Sequence, residues 1–225
     1  MKLETIINQP VIETERFDLR PLRRSDMGLI EHYAGDERVA RMTTSIPHPL
    51  PPGSIEAFVT RSMAEDRDED VWAMDATKDG GPELIGLISL TRLDRNQTEV
   101  GYWVAPVYWN TGIASLAVET LVNANPLENA NMFASVFQDN PASARVLTHC
   151  GFQYLGDAES YSVARDANVP TWTYSKKLWL VADGAFAVGD SHEISRSCKG
   201  LHPVRGRWWR LRQLSARKIH RIWRA

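Results

Sequence analysis

The order of hydrophobic periods along the 225-residue chain predicts a mixed α+β fold built on one central sheet flanked by helices. Three observations carry that expectation. A strand-like alternation near the start is followed by two helical segments, three strand-like runs, a helix, a strand, a helix and terminal strands. Hydrophobic residues make up 43% and charged residues 24%, the balance of a globular protein. No G-x-G-x-x-G is present, and the Gly-containing strand-to-helix turn comes only after a run of hairpins, which excludes a dinucleotide-binding doubly wound fold.

Phe17–Arg20 alternates as a short strand. Ser25 is placed to cap a helix running to about Ala34, with Met27, Leu29 and Ile30 as its apolar positions. Thr43–Gly53 contains Pro47, Pro49, Pro51 and Pro52 and is expected to be irregular. Ser54 is placed to cap a second helix through about Glu65, with Ile55, Phe58, Val59 and Met63 on one side. Val71–Thr77, Glu83–Leu93 and Thr98–Ala105 read as strands, the first two joined by the turn residues Lys78-Asp79-Gly80-Gly81-Pro82. Trp109–Thr111 is a short loop into a helix over Gly112–Asn123, with Ile113, Leu116, Ala117, Thr120 and Leu121 toward a core. Met132–Phe137 is a strand. Asn140-Pro141 is a cap followed by proline at the first helical position, and Gly151 stops that helix. Phe152–Leu155, Ser160–Ala164 and Thr171–Leu180 complete the body as strands, and Trp72, Trp172 and Trp179 are expected in the core.

Composition removes several classes. Cys150 and Cys198 are the two cysteines; they make no disulfide scaffold, and neither has a Cys or His partner at metal-ligand spacing, so no metal is expected. No uncharged apolar run approaches the roughly 18–20 residues of a membrane span. The opening Met-Lys-Leu-Glu is not a secretory signal, so the expected compartment is the cytoplasm. The net charge of -2 divides unevenly: residues 182–225 hold 10 Lys and Arg against 3 Asp and Glu, leaving 16 against 25 for residues 1–181. An acidic body is not that of a nucleic-acid enzyme.

The chemistry is concentrated in two segments. In Thr98–Val118 a strand stops at Pro106, and Trp109-Asn110-Thr111-Gly112-Ile113-Ala114 opens a helix. Free backbone N–H groups and the positive dipole end make such a start an anion site, and small residues let a pyrophosphate approach. A bare tight turn is the alternative for Gly112. The second segment, about thirty residues later, runs from Gln138-Asp139-Asn140-Pro141-Ala142-Ser143 to Leu147-Thr148-His149-Cys150-Gly151-Phe152.

Together these segments resemble the GNAT N-acetyltransferase superfamily over roughly residues 11–180. The opening T-E-R-F-D-L-R-P-L-R-R-S-D is similar to the start of this family, and the G-Y-W-V-A-P-V-Y-W run resembles its bacterial ribosomal-protein (Rim-type) alanine/serine branch. The resemblance implies the GNAT fold and acetyl-coenzyme A as co-substrate. Tyr102, Trp103 and Val104 match the strand whose backbone pairs with pantetheine, where a bulge opens the cleft. Asn110, Thr111, Gly112, Ile113 and Ala114 match the phosphate loop, with Ser115 just inside the helix. Asn140 and Ser143 match the polar positions near pantetheine and sulfur. Leu147 stands where many relatives carry an acid tyrosine, and Ser143 is then the catalytic candidate. Asn110 replaces a common glycine and Leu116 a common glutamate.

Glu99 is the best base candidate, sharing a strand face with Gly101 and Trp103; a solvated strand glutamate is the alternative. His48 and Tyr161 are weaker candidates for the acceptor side. The expected reaction is acetylation of a primary amine, with a protein N-terminal α-amine as the favoured acceptor and a small-molecule amine as the alternative. A non-catalytic acyl-coenzyme A sensor is the reading from another class. Residues 181–225 form a separate basic tail. On a helix, Trp208, Leu211, Ile219, Ile222 and Trp223 would share a sector opposite Arg210, Arg217, Lys218, Arg221 and Arg224. Ribosomal RNA and an anionic membrane surface are its candidate partners; a solvated extension is the plain alternative.

Overall fold

The structure, a computed structural model, describes residues 9–178. The basic tail, Trp179, Leu180 and Cys198 lie outside the described residues.

Among the described residues eight strands form one sheet: β1 (Ile12–Glu13), β2 (Asp18–Pro21), β3 (Glu69–Asp75), β4 (Gly86–Leu93), β5 (Gln97–Val104), β6 (Asn131–Phe137), β7 (Gln153–Ser162) and β8 (Ala167–Lys177). Their spatial order is β1-β2-β3-β4-β5-β6-β8-β7, and every neighbouring pair is antiparallel except β5–β6. A parallel pair needs a crossover. The helix α4 (Ile113–Ala124) supplies it, and α5 (Pro141–His149) follows β6. The helices α1 (Met27–Ala34), α2 (Glu37–Ala40) and α3 (Ser54–Ser62) lie between β2 and β3 in the chain.

The sheet separates two cores, and the period-2 alternation of each strand feeds both. On β4 and β5, Ile88, Leu90, Val100 and Val104 join the α4 and α5 side, with Ile113, Ala117, Val118, Leu121 and Leu147. Leu87 and the partly buried Trp103 join the α1–α3 side, with Ile30, Ile55, Phe58 and Val59. Gly86 must be glycine: a Cβ there would lie 2.5 Å from the Trp103 carbonyl oxygen and 3.0 Å from Met74 Sδ.

A buried ion network fastens the α1 side to the sheet. Arg20 on β2 is 3% exposed; its Nη1 and Nη2 donate to Asp26 at 2.9 and 2.8 Å, and its Nε donates to Asp75 at 2.6 Å. Nη2 also donates to the Glu83 carbonyl at 3.0 Å, and Asp26 accepts from Arg23 N at 2.7 Å. This network explains the first correction. Ser25 does not cap α1. It lies inside a 3₁₀ turn over Arg24–Asp26, whose entry is closed by the Asp26 carboxylate. Ser54 does not cap α3 either: Gly53, at φ 76°, is the cap residue, and the Ser54 hydroxyl is buried without a hydrogen-bond partner.

Two more expectations change. The segments read as Phe152–Leu155 and Ser160–Ala164 are one strand, β7, interrupted only by a register shift between Tyr154 and Gly156. On α4, Leu116 and Thr120 are only partly buried, while Val118 and Val122 face the core. Trp72 is fully buried as expected; Trp172 is partly buried against the core. The irregular stretch over Thr43–Gly53, the Asn140 cap and the Gly151 stop, at φ 80°, are as read from the sequence.

Removing one partner of a buried ion pair leaves the other charge stranded. Asp26→Ala is expected to lower stability by about 3–5 kcal/mol in urea denaturation. Burial alone would raise the pKa of Asp75, but hydrogen bonds from Arg20 and Thr77 outweigh it and hold the carboxyl below its ordinary value. Stability from Asp75 is therefore full above the unfolded carboxylate pKa of about 3.9 and is lost as pH falls through the lower folded value. Asp75→Asn should flatten that acid limb.

Candidate active site

β5 and β6 pair over three residues only, Gln97–Glu99 against Asn131–Phe133. Beyond that point β5 remains paired to β4 up to Val104, and β6 to β8 up to Phe137. The strands part in the middle of the sheet, and their facing backbone N–H and C=O groups open into a cleft of about 2810 Å³. The bulge expected at Tyr102–Val104 is absent: the β4–β5 register is continuous from Leu93–Gln97 to Gly86–Val104. The splay comes from the loss of β6 as a partner, with no inserted residue.

One end of the cleft is the loop into α4. Gly112 caps the helix at φ 83°, a left-handed conformation that suits glycine. Asn110 is also left-handed, at φ 61°, which asparagine tolerates better than most residues. That explains how it stands where glycine is common. The loop is held from both sides. Trp109 Nε1 donates to the Val104 carbonyl at 2.7 Å, and Arg16 Nη1 donates to the Thr111 carbonyl at 2.7 Å. The first-turn N–H groups of Ile113, Ala114 and Ser115 have no intrahelical partner, and all three residues line the cleft with Asn110 and Gly112. Thr111 does not line it; its hydroxyl donates to the Tyr108 carbonyl at 2.6 Å.

The start of α5 faces the gap from the same side of the sheet. Asn140 Oδ1 accepts from Ser143 N at 3.2 Å, so the cap geometry sets the position of the serine. Tyr102 Oη lies 2.7 Å from Ser143 Oγ, and the phenol also reaches the Ser143 carbonyl at 3.2 Å. Burial raises the pKa of this phenol well above the ordinary range, against a smaller opposing effect from the Ser143 hydrogen bond. Tyr102, Trp103, Val104, Asn140 and Ser143 all line the cleft. Leu147 is buried in the core beneath the cleft and forms part of its apolar floor, with no hydroxyl to offer there.

The opposite face of the sheet carries the carboxylates. Glu99 is paired with Thr91 on β4 and with Phe133 on β6. Thr91 is paired in turn with Glu69 on β3. Glu69 and Glu99 therefore sit two strands apart, about 10 Å between backbones, on one face lining the cleft. Burial pushes the Glu69 carboxyl up. A hydrogen bond from Ser89 opposes this, and the Glu99 charge adds to it. Arg61 on α3 offsets it only in part; its Nε and Nη2 are buried without hydrogen-bond partners.

The wall over this face is tied together by Arg165, in the turn between β7 and β8. Its Nε and Nη2 donate to the Arg41 carbonyl at 2.9 and 2.6 Å, and it forks onto Asp139 at 2.7 and 3.2 Å. The guanidinium lies 4.8 Å from the Phe137 ring centroid. Nearby, Val163 N donates to the Thr44 carbonyl at 3.1 Å. Tyr161 lines the cleft and bonds Asp166. His48 is exposed and does not line it.

Sequence reasoning missed Glu69, Arg16, Arg38 and Arg165 as cleft residues or supports. Arg16 had a signal, standing in the T-E-R-F-D-L-R opening. Arg38 lies over the Trp109 ring at 5.7 Å from its centroid. Glu69 and Arg38 meet the cleft, and Arg165 braces its wall, only through tertiary pairing. Among the described residues no cluster of three or more His, Cys, Asp or Glu is placed to hold a metal ion, and no helix is long and apolar enough to cross a membrane.

The acetyltransferase (GNAT) domain family model matches residues 16–153. An uncharacterized N-acetyltransferase, YoaA, of Bacillus subtilis (strain 168) is 27% identical over 175 residues, covering 74% of this chain and 96% of its own. Ribosomal-protein-S5-alanine acetyltransferase from Vibrio fischeri superposes with a TM-score of 0.62 at 20% identity, covering 75% of this chain and 97% of its own. The microcin C7 self-immunity acetyltransferase MccE, solved with acetyl-CoA and AMP, superposes with a TM-score of 0.63 at 14% identity, covering 73% and 94%.

Because the folded state raises the Glu69 pKa, stability tied to that proton is present below the unfolded carboxylate pKa of about 4.3 and is lost as pH rises through the folded value. Glu69→Gln, which keeps the shape without the titration, is expected to raise the melting temperature at pH 8 and to change it less at pH 4.

Proposed function

The chain belongs to the acetyltransferase (GNAT) domain family, and from that premise we propose that its amine acceptor is a protein N-terminal α-amine, acetylated in the cleft between β5 and β6. The protein is an N-acetyltransferase using acetyl-CoA. The observation that carries the site assignment is the early parting of β5 and β6 beside the α4 entry loop. Unpaired strand backbone on both sides of the gap suits an extended ligand bearing amides, since buried N–H and C=O groups must find partners. The N–H groups at the α4 start, with Asn110 and Gly112, suit its phosphates. Acetyl-CoA would supply the reactive thioester, with Tyr102, Trp103 and Val104 along it and Asn140 and Ser143 near the sulfur.

In this reading Glu99 takes the proton that the amine sheds as its nitrogen bonds the acetyl carbon, directly or through one water. Ser143 donates a hydrogen bond to the sulfur as the C–S bond breaks. The cleft itself contributes by holding amine and thioester together. An α-amine has an unperturbed pKa of about 7.7–8.0 against about 10.4 for lysine, so a single carboxylate suffices to deprotonate it near neutrality. The similarity to an S5-alanine acetyltransferase supports this acceptor. The carboxylates Glu69 and Glu99 would equally attract a small cationic amine, which is the alternative acceptor. The test is mass spectrometry of products from a panel of free-N-terminus peptides and small amines. Turnover of amines alone, with no peptide acetylated, would replace the first acceptor with the second.

Acetyl-CoA at a hundredfold excess over Kd is expected to stabilise the protein by roughly 2.7 kcal/mol, read as a rise in melting temperature. Gly112→Glu, which places bulk and negative charge at the α4 start, should abolish the rise; a retained rise would move the phosphates elsewhere. Glu99→Gln should leave that rise intact and lower kcat by roughly 10²–10⁴. The loss should shrink at alkaline pH, where the amine is already neutral. Full activity across the pH range would return Glu99 to the status of a surface residue.

A further inference from the structure

We infer that Tyr102 is a positioning residue for the acetyl-transfer step: its phenol grips Ser143 so that the serine hydroxyl proton is directed at the sulfur of the bound thioester. The inference rests on the proposed role of Ser143 and adds the group that orients it. Ser143 is held at three atoms. Its N–H is fixed by Asn140 Oδ1 at 3.2 Å, its carbonyl accepts from the phenol at 3.2 Å, and its Oγ lies 2.7 Å from the same phenol oxygen.

The direction of the short bond decides the function. A phenol is a far stronger acid than an aliphatic alcohol, so in a shared O···O contact the phenol is the better donor and the serine oxygen the better acceptor. The phenol has one proton and two acceptors on the same residue, Oγ and the carbonyl, and serves both from one side. Burial in the wall between β5 and α5 keeps that proton in place. With Oγ occupied as an acceptor and no other partner for Ser143 Oγ among the described residues, the serine's own hydrogen is free for the cleft. Left alone, a serine in the first turn of a helix often turns its hydroxyl back to a local backbone group. Here no backbone group among the described residues takes the Ser143 hydroxyl, and the phenol holds its oxygen on the β5 side. No proton leaves Ser143: its hydroxyl donates a hydrogen bond while charge gathers on sulfur, and the departing thiolate is protonated by water.

Tyr102 reaches Ser143 from the neighbouring side of the gap, across 41 residues of sequence.

The test is Tyr102→Phe, which keeps the ring and its packing and removes only the hydroxyl. The melting temperature is expected to stay within about 4 °C of the parent, the size of shift that loss of one hydrogen bond gives in a domain of this length. Steady-state kinetics should show kcat lowered by about 3–10-fold, with KM for acetyl-CoA unchanged. Ser143→Ala should lower kcat at least as much, and the double variant should be no worse than Ser143→Ala alone. A purely structural role would move KM or stability and would leave the losses multiplicative. Full kcat in Tyr102→Phe, with a loss in Ser143→Ala, overturns the inference and leaves the serine's role standing. Full kcat in Ser143→Ala overturns the serine's role and the inference with it.

Discussion

A parallel strand pair abandoned after three residues is the constraint from which the rest of this molecule follows. β5 and β6 cannot part in mid-sheet unless something holds each of them from its outer side, and β4 and β8 do so over long registers. The break leaves two rows of backbone polar groups facing an open wedge. It also brings two helix starts to one place, because α4 leaves the end of β5 and α5 leaves the end of β6. Unpaired first-turn N–H groups, a row of strand amides and a capped serine are thereby collected around one gap by topology alone.

The two faces of the sheet divide the labour. The α4 and α5 side carries backbone donors and neutral hydroxyls, which suit a phosphate tail and a thioester. The α1–α3 side carries Glu69 and Glu99, which suit a cation. β5 belongs to both: alternate residues send Tyr102 to one side and Glu99, Gly101 and Trp103 to the other. The buried Arg20 fork matters here because it pins the entry to α1 onto β2 and β3. The helices bordering the acidic face are thus fixed to the same sheet that bears the carboxylates.

The parts of the site visible in the sequence are those that local backbone chemistry dictates. Gly112 and Asn110 were marked by the loop they open, Asn140-Pro141 by a cap, and Glu99 by its period-2 relation to Gly101 and Trp103. What could not be seen depends on pairing between distant segments. Glu69 becomes a neighbour of Glu99 only through the β3–β4–β5 register, and Tyr102 meets Ser143 only once β5 and α5 are packed. Ser25 and Ser54 carried a sound local signal for capping, yet each lost to a tertiary alternative. The Asp26 carboxylate was already committed to Arg20, and the left-handed Gly53 turned the chain into α3. The split reading of β7 has a similar origin: one irregular residue pair breaks the alternation without breaking the strand.

Arg165 has a consequence for how such a protein can change over evolutionary time. The stretch Arg41–Thr44, which borders the acidic face, is anchored by Arg165, 124 positions beyond Arg41 and itself held by Asp139. It is not an independent cassette. Transplanting that loop alone into another scaffold would deliver it without its fastening, and exchanging the β7–β8 turn alone would loosen a loop that was never touched. New acceptor preferences on this scaffold are therefore expected to arise by paired replacement of the two segments, or by single substitutions inside a wall whose outline stays the same.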